Sequence, residues 1–309
     1  MKKLLCLLLA LCSIFACSLP ALAVPAGEAR AVIGADLSED QILTVYGQFG
    51  LTRGSVPELT VTNAEERDYL EGLVSEDIIG THSISCVYIR LLEEGEGLSV
   101  STHNISWCTE DMYRSALLTA GIYDAEVKVG APFSVSGTAA LTGIYKAYED
   151  LTGAPLPEEA KAAAADELII TAELADEISE DDAVAIVSEL KLMLDEIAGM
   201  SDEELRSEIS GIAGNYGYAL DGQQIAQLIR LCRQLQGLSI DDIQEKVAQL
   251  TTTLNTVSQY ASQASTFGQK LVQFIQNIFS LFAGLRSQAS AQVGQKTSRT
   301  EAYAVSVAP

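Results

Sequence analysis

Small and hydroxylated side chains crowd the stretch Val129 to Thr142, where Ser134, Ser136, Gly137 and Thr138 follow Ala125 to Phe133 (AEVKVGAPF). A strand running into a helix there would leave the first N–H groups of the helix unpaired at the positive end of its dipole. Side chains this small would let a carboxylate or phosphate approach them. These four residues are therefore the anion-binding candidate. Two stricter chemistries fail on spacing. A phosphate-binding loop needs G-x-x-x-x-G-K-[ST], but Gly130 stands seven residues before Gly137, and no lysine follows it. A nucleophile elbow needs G-x-S-x-G, but Pro132 stands two places before Ser134 and Thr138 two places after Ser136. The plain alternative is that Ser134 or Ser136 caps the helix.

His82 and His103 are the only histidines, with Cys86 and Cys108 nearby. Two imidazoles and two thiolates would suit tetrahedral zinc. A hairpin turning at Gly95 pairs Cys86 with Asn104 and His82 with Cys108, which leaves His103 on the opposite face. The expectation is no metal, with packed thiols and surface histidines. Glu93, Glu94 and Glu96, like Glu180, Asp181 and Asp182, lack calcium-loop spacing and read as solvated faces. Ser188 and Lys191 match S-x-x-K without partner motifs, on what reads as an amphipathic acidic helix. No catalytic constellation is complete, and no cofactor is implied.

The chain around these residues has the marks of export. Lys2 and Lys3 precede an apolar run from Leu4 to Leu19, and Ala21 and Ala23 supply the small side chains of a signal-peptidase site. The run is shorter than the roughly 20 residues of a spanning helix. Residues 1–23 are thus expected to be a signal peptide, with Val24 as the mature start. Lipidation at Cys17 is the rival, which Phe15 fits poorly. Cleavage leaves 17 bases against 42 acids, a net charge of −25. Such a surface repels nucleic acid. From Val24 to Glu204 the net charge is −27, and from Leu205 onward it is +2, which suggests two domains. Cys86, Cys108 and Cys232 remain, too few and odd in number for a disulfide framework.

Helix starts are written as cap-plus-third-residue pairs at Ser38 with Gln41, Thr62 with Glu65, Ser179 with Asp182, Ser201 with Glu204 and Ser239 with Asp242. Stops fall near Gly50, Gly72, Gly121, Gly199, Gly214 and Gly237. His82 to Leu92 and Leu98 to Trp107 are β-rich and flank a charged turn, which predicts a hairpin. Thr109 to Ala120 and Ser136 to Leu151 read as helices. After Pro157 only helices follow: Glu158 to Ile178, Glu180 to Ala198, Asp202 to Ala213, Asp221 to Gln236, Ile240 to Ala261 and Phe267 to Leu285. The fold class is α+β: an α/β amino-terminal domain with a short mixed sheet over 24–153, then an all-α helical domain over 154–285. A polar tail, 286–309, has a composition that cannot order itself. The apolar stripe of Phe267 to Leu285 either closes the helical bundle or makes peripheral contact with a membrane or partner.

The segments GADLS (Gly34 to Ser38), TVTNAEERDYL (Thr60 to Leu70), IGTHSISCVYIRLL (Ile79 to Leu92), THNISW (Thr102 to Trp107) and APFSVSGTAALTGIYKAYE (Ala131 to Glu149) resemble the YpuA-like family of secreted Firmicutes proteins, domain of unknown function number one thousand and two. The resemblance implies a Gram-positive, extracytoplasmic setting and brings no assigned activity. The expected function is a non-catalytic envelope or extracellular protein binding a wall component, peptide or protein partner. The alternative is a hydrolase acting at Ser134 to Thr138, which would need His82, His103 or Asp36 as base beside Ser136.

Overall fold

The computed structural model describes residues 27–239 and 243–249. The expected signal peptide 1–23, the stripe Phe267–Leu285 and the expected tail 286–309 lie outside the described residues, as does Asp242 of the last expected cap.

Five strands form one mixed sheet: β1 (Ala29–Gly34), β2 (Glu58–Val61), β3 (Cys86–Leu91), β4 (Leu98–Ile105) and β5 (Ala125–Val135). Their order is β2-β1-β3-β5-β4. β1 pairs parallel with β2 across helix α1 (Glu39–Phe49), and β4 pairs parallel with β5 across helix α4 (Glu110–Thr119). The central strand β3 runs antiparallel to both β1 and β5. The expected hairpin is therefore corrected, because β5 lies between β3 and β4. The charged turn exists, but its Gly95 and Gly97 N–H groups donate to Asp124 Oδ1 at 2.9 and 2.7 Å, just ahead of β5. Cys86 accordingly sits opposite Gly130, not Asn104. The reason is burial: Val127 and Val129 of β5 are fully enclosed, and a central position satisfies them where an edge would not. β1 and β2 were not foreseen, since four to six residues beside charged loops carry little periodic signal.

One face of the sheet holds α1, whose Ile42, Val45, Tyr46 and Phe49 pack on Ala31, Ile33, Cys86 and Tyr88. The other face carries α4 and α5 (Thr138–Thr152). Helices α2 (Asn63–Leu70) and α3 (Glu76–Ile79) pack against α5 at the end of the sheet. Then come α6 (Glu158–Glu177), α7 (Glu180–Leu192), α8 (Leu194–Ile197), α9 (Asp202–Asn215) and α10 (Gly222–Leu235), with residues 243–249 also helical. α6 and α7 pack on α4, and one apolar core runs from Val32 through Leu168 and Ile186 to Leu228. The caps at Ser38, Thr62, Ser179 and Ser201 form as read, each hydroxyl accepting the third residue's N–H. The helix expected over Glu180 to Ala198 breaks at Met193.

α7 is not the half-solvated acidic helix expected of it. Asp182 to Lys191 are all buried, and Tyr218 donates its hydroxyl to Asp182 at 3.0 Å. Lys191, set aside as an accidental match, is 0% exposed and meets the equally buried Glu167 of α6 at 3.0 Å. The Ser115 and Thr119 hydroxyls of α4 donate to the same carboxylate, and Lys191 also donates to the Ser115 carbonyl at 2.9 Å. A buried charge pair is tolerated only when fully hydrogen-bonded, and this one ties α4, α6 and α7 into one packing register. No described helix is long and apolar enough to cross a membrane.

Candidate functional site

The capping box of Thr62 and Glu65 starts α2, and the next residue, Glu66, turns inward four positions before buried Leu70. At 1% exposure its carboxyl meets the first residue of α5: Thr138 Oγ1 donates to Oε1 at 2.8 Å, and Asn63 Nδ2 donates to Oε2 at 3.3 Å. Burial pushes the Glu66 carboxyl up to about 6, and those two donors offset only part of the shift. The Arg67 charge, next in the helix, opposes the shift as well, although its guanidinium is paired with Glu76 and the Gly80 carbonyl.

The expected side-chain cap at α5 is corrected. Its N-cap is Gly137, with φ 100° and no side-chain hydrogen bond, so neither Ser134 nor Ser136 caps the helix. The requirement for glycine is steric as well as conformational. A Cβ there would lie 2.5 Å from the Tyr113 hydroxyl and 2.6 Å from Ile105, and that hydroxyl donates to the Gly137 carbonyl at 2.5 Å. Ser136 Oγ instead donates to the Ile78 carbonyl at 3.2 Å and lies 3.4 Å from Thr138 Oγ1.

These groups line a cleft of about 620 Å³ outside the carboxyl ends of β4 and β5. Open α/β sheets place ligands at such ends. Ser134, exposed, and Ser136, half-buried, lie on one side with Thr138 beneath, and Glu66, His82 and Trp107 complete the polar and aromatic lining. Ile78, Ile79 and Ala139 supply apolar wall. Trp107 donates to Asp176 of α6 at 3.1 Å, so the helical half holds one edge. The segment carrying His82 is itself fixed by Asp36, which accepts the Ser83 N–H at 2.7 Å, and by Gly34, where a Cβ would meet the Ser83 carbonyl at 2.2 Å.

Three of the four candidate residues thus come together in the cleft, and Gly137 shapes its backbone from behind. His82 joins them, while His103 is exposed on the edge strand β4 opposite Gly130. Cys86 packs with α1 on one face and Cys108 with the core of the other, and burial pushes both thiols up to about 12. No three His, Cys, Asp or Glu side chains cluster for a metal among the described residues. Sequence reading missed Glu66 and Trp107. The available signal for Glu66 was an acid sharing the Leu70 stripe directly after a capping box. Chemically, the cleft offers hydroxyl donors and acceptors, one protonatable carboxyl and an aromatic edge. The accessible Ser136 hydroxyl is committed to a carbonyl, and Asp36 to a backbone N–H.

The chain matches the family described as "Protein of unknown function (DUF1002)" over residues 33–253. It is 35% identical over 265 residues to the "Uncharacterized protein YpuA" of Bacillus subtilis (strain 168), an alignment covering 84% of this chain and 90% of that protein. No solved structure matches it. With the family match spanning both the sheet and the helices packed on it, the chain belongs to the DUF1002 family.

Proposed function

We propose that this is an exported, non-catalytic protein of the cell envelope or extracellular space that holds a polar wall component or peptide in the cleft beside α5. The observation that carries the reading is the lining itself. Hydroxyls of Ser134, Ser136 and Thr138, the Glu66 carboxyl and the Trp107 ring converge on a concave space of about 620 Å³, within the usual range for small-ligand sites. Hydroxyl, carboxyl and aromatic groups together suit a ligand rich in hydroxyl or amide groups. An anion at the α5 terminus shares Thr138 with the Glu66 carboxylate, so such a ligand is favoured when Glu66 is protonated. The acidic surface and the residues that read as a signal peptide support an extracytoplasmic place without nucleic-acid partners.

The hydrolase reading keeps one supporting observation, the chain of contacts from Ser136 through Thr138 to Glu66, a carboxyl raised toward neutral pH. Calorimetric titration of the mature protein with soluble wall saccharides and wall peptides tests the binding reading, with fragment masses followed over time. Binding with unchanged masses, weakened about tenfold or more by combined Ser136→Ala and Thr138→Val, is expected from the lost hydrogen bonds. No heat with any fragment rejects the reading. Cleavage abolished by Ser136→Ala replaces it with the hydrolase.

A further inference from the structure

On this acidic chain, three of the arginines beyond Glu204 meet in one groove between α9 and α10. Arg206 of α9 and Arg230 and Arg233 of α10 line a concavity of about 590 Å³, with Ala226 and Ile229 as its apolar floor. The three guanidiniums differ in their commitments. Arg233 is saturated: it donates to Asp202 at 2.8 Å and to the Met200 and Ile197 carbonyls at 2.7 and 3.2 Å, locking the start of α9 to α10. Arg230 forks onto Asp166 of α6 through Nε at 3.0 Å and Nη2 at 2.6 Å. Asp166 is 1% exposed, whereas the Arg230 side chain is 49% exposed, so Nη1 of Arg230 remains available to a ligand. Arg206, half-buried, has no ion pair or side-chain hydrogen bond among the described residues.

Three guanidiniums against Asp166, Asp202 and the Glu173 carboxylate that also acts on Arg230 leave the groove near neutral inside a strongly negative molecule. Donors from two different helices face a space large enough for a small organic molecule. A carboxylate is satisfied by a single guanidinium fork, as Asp166 is here. A phosphate group has more oxygens and can accept from two arginines at once. We propose that this groove is a second binding site, separate from the α5 cleft, that takes a phosphate-bearing ligand: Arg206 and Nη1 of Arg230 hold the phosphate, while Ala226 and Ile229 meet its organic part. Arg233 positions the groove without contacting the ligand.

The experiment uses the full mature chain and two probes, glycerol phosphate by calorimetry and phosphatidylglycerol vesicles by flotation. Binding of either probe, weakened about tenfold or more by Arg206→Ala and largely kept by Arg206→Lys, supports the site. The probe that binds tells a soluble phosphate ester from a lipid headgroup. Arg230→Ala would strand buried Asp166, so the paired Asp166→Asn and Arg230→Gln variant serves instead, with folding checked by circular dichroism. It is expected to weaken the same probe. If neither probe binds, or if both arginine variants bind like the parent protein, the proposal is overturned. Neither outcome bears on the α5 cleft.

Discussion

Glu66→Gln separates the electrostatics of the cleft from its shape. The Glu66 carboxyl is raised from 4.5 to about 6 in the folded protein by burial. The folded state therefore binds its proton more tightly than the unfolded state does. That contribution to stability is complete below pH 4.5 and is lost as pH rises through 6. A shift of about 1.5 units corresponds to about 2 kcal/mol at 1.36 kcal/mol per unit. Glutamine is neutral at every pH and keeps an oxygen to accept from Thr138. The variant should thus gain about 2 kcal/mol on the parent between pH 4 and pH 7.5. For a domain of this size that is about 4 to 8 °C in Tm. Thermal unfolding followed by circular dichroism at half-unit pH steps provides the test. Thr138→Val removes a donor that favours the carboxylate, so it should move the transition to higher pH. A Tm difference between Glu66→Gln and the parent that stays flat from pH 4 to 7.5 would refute the reasoning.

Lys191→Met strands the Glu167 carboxylate in the core and should cost about 3 to 5 kcal/mol in urea unfolding. Adding Glu167→Gln should recover most of that loss, and equal costs for the single and double variants would disprove the pairing. Gly137→Ala places a methyl group against Tyr113 and Ile105 at φ 100° and should cost about 1 to 3 kcal/mol, measured the same way. The proposed export predicts that mass spectrometry of protein recovered from the medium or envelope gives an amino terminus at Val24; retained residues 1–19, or a lipid on Cys17, would contradict it.

Much of the chain is legible without coordinates because its information is local. Ser38, Thr62, Ser179 and Ser201 announce their helices through hydrogen bonds that close within three residues. The stretch from Ser134 to Thr138 marks a strand-to-helix junction by composition alone, and the junction does open onto a cleft. Family membership was likewise carried by contiguous motifs. Pairing between distant strands is not local. His82 to Leu92 and Leu98 to Trp107 look like a hairpin to any short-range rule, yet the apolar faces of β5 place it between them, a choice that exists only when all five strands compete for the centre. Buried charge is decided the same way. Glu66 and Lys191 resemble solvated residues until α5 brings Thr138 to the first and α4 brings Ser115 to the second, and Arg206 and Arg230 share a groove only because α9 folds back along α10. Desolvation and partnering depend on neighbours tens of residues away, so tertiary packing alone determines which polar groups become structural and which stay open to a ligand.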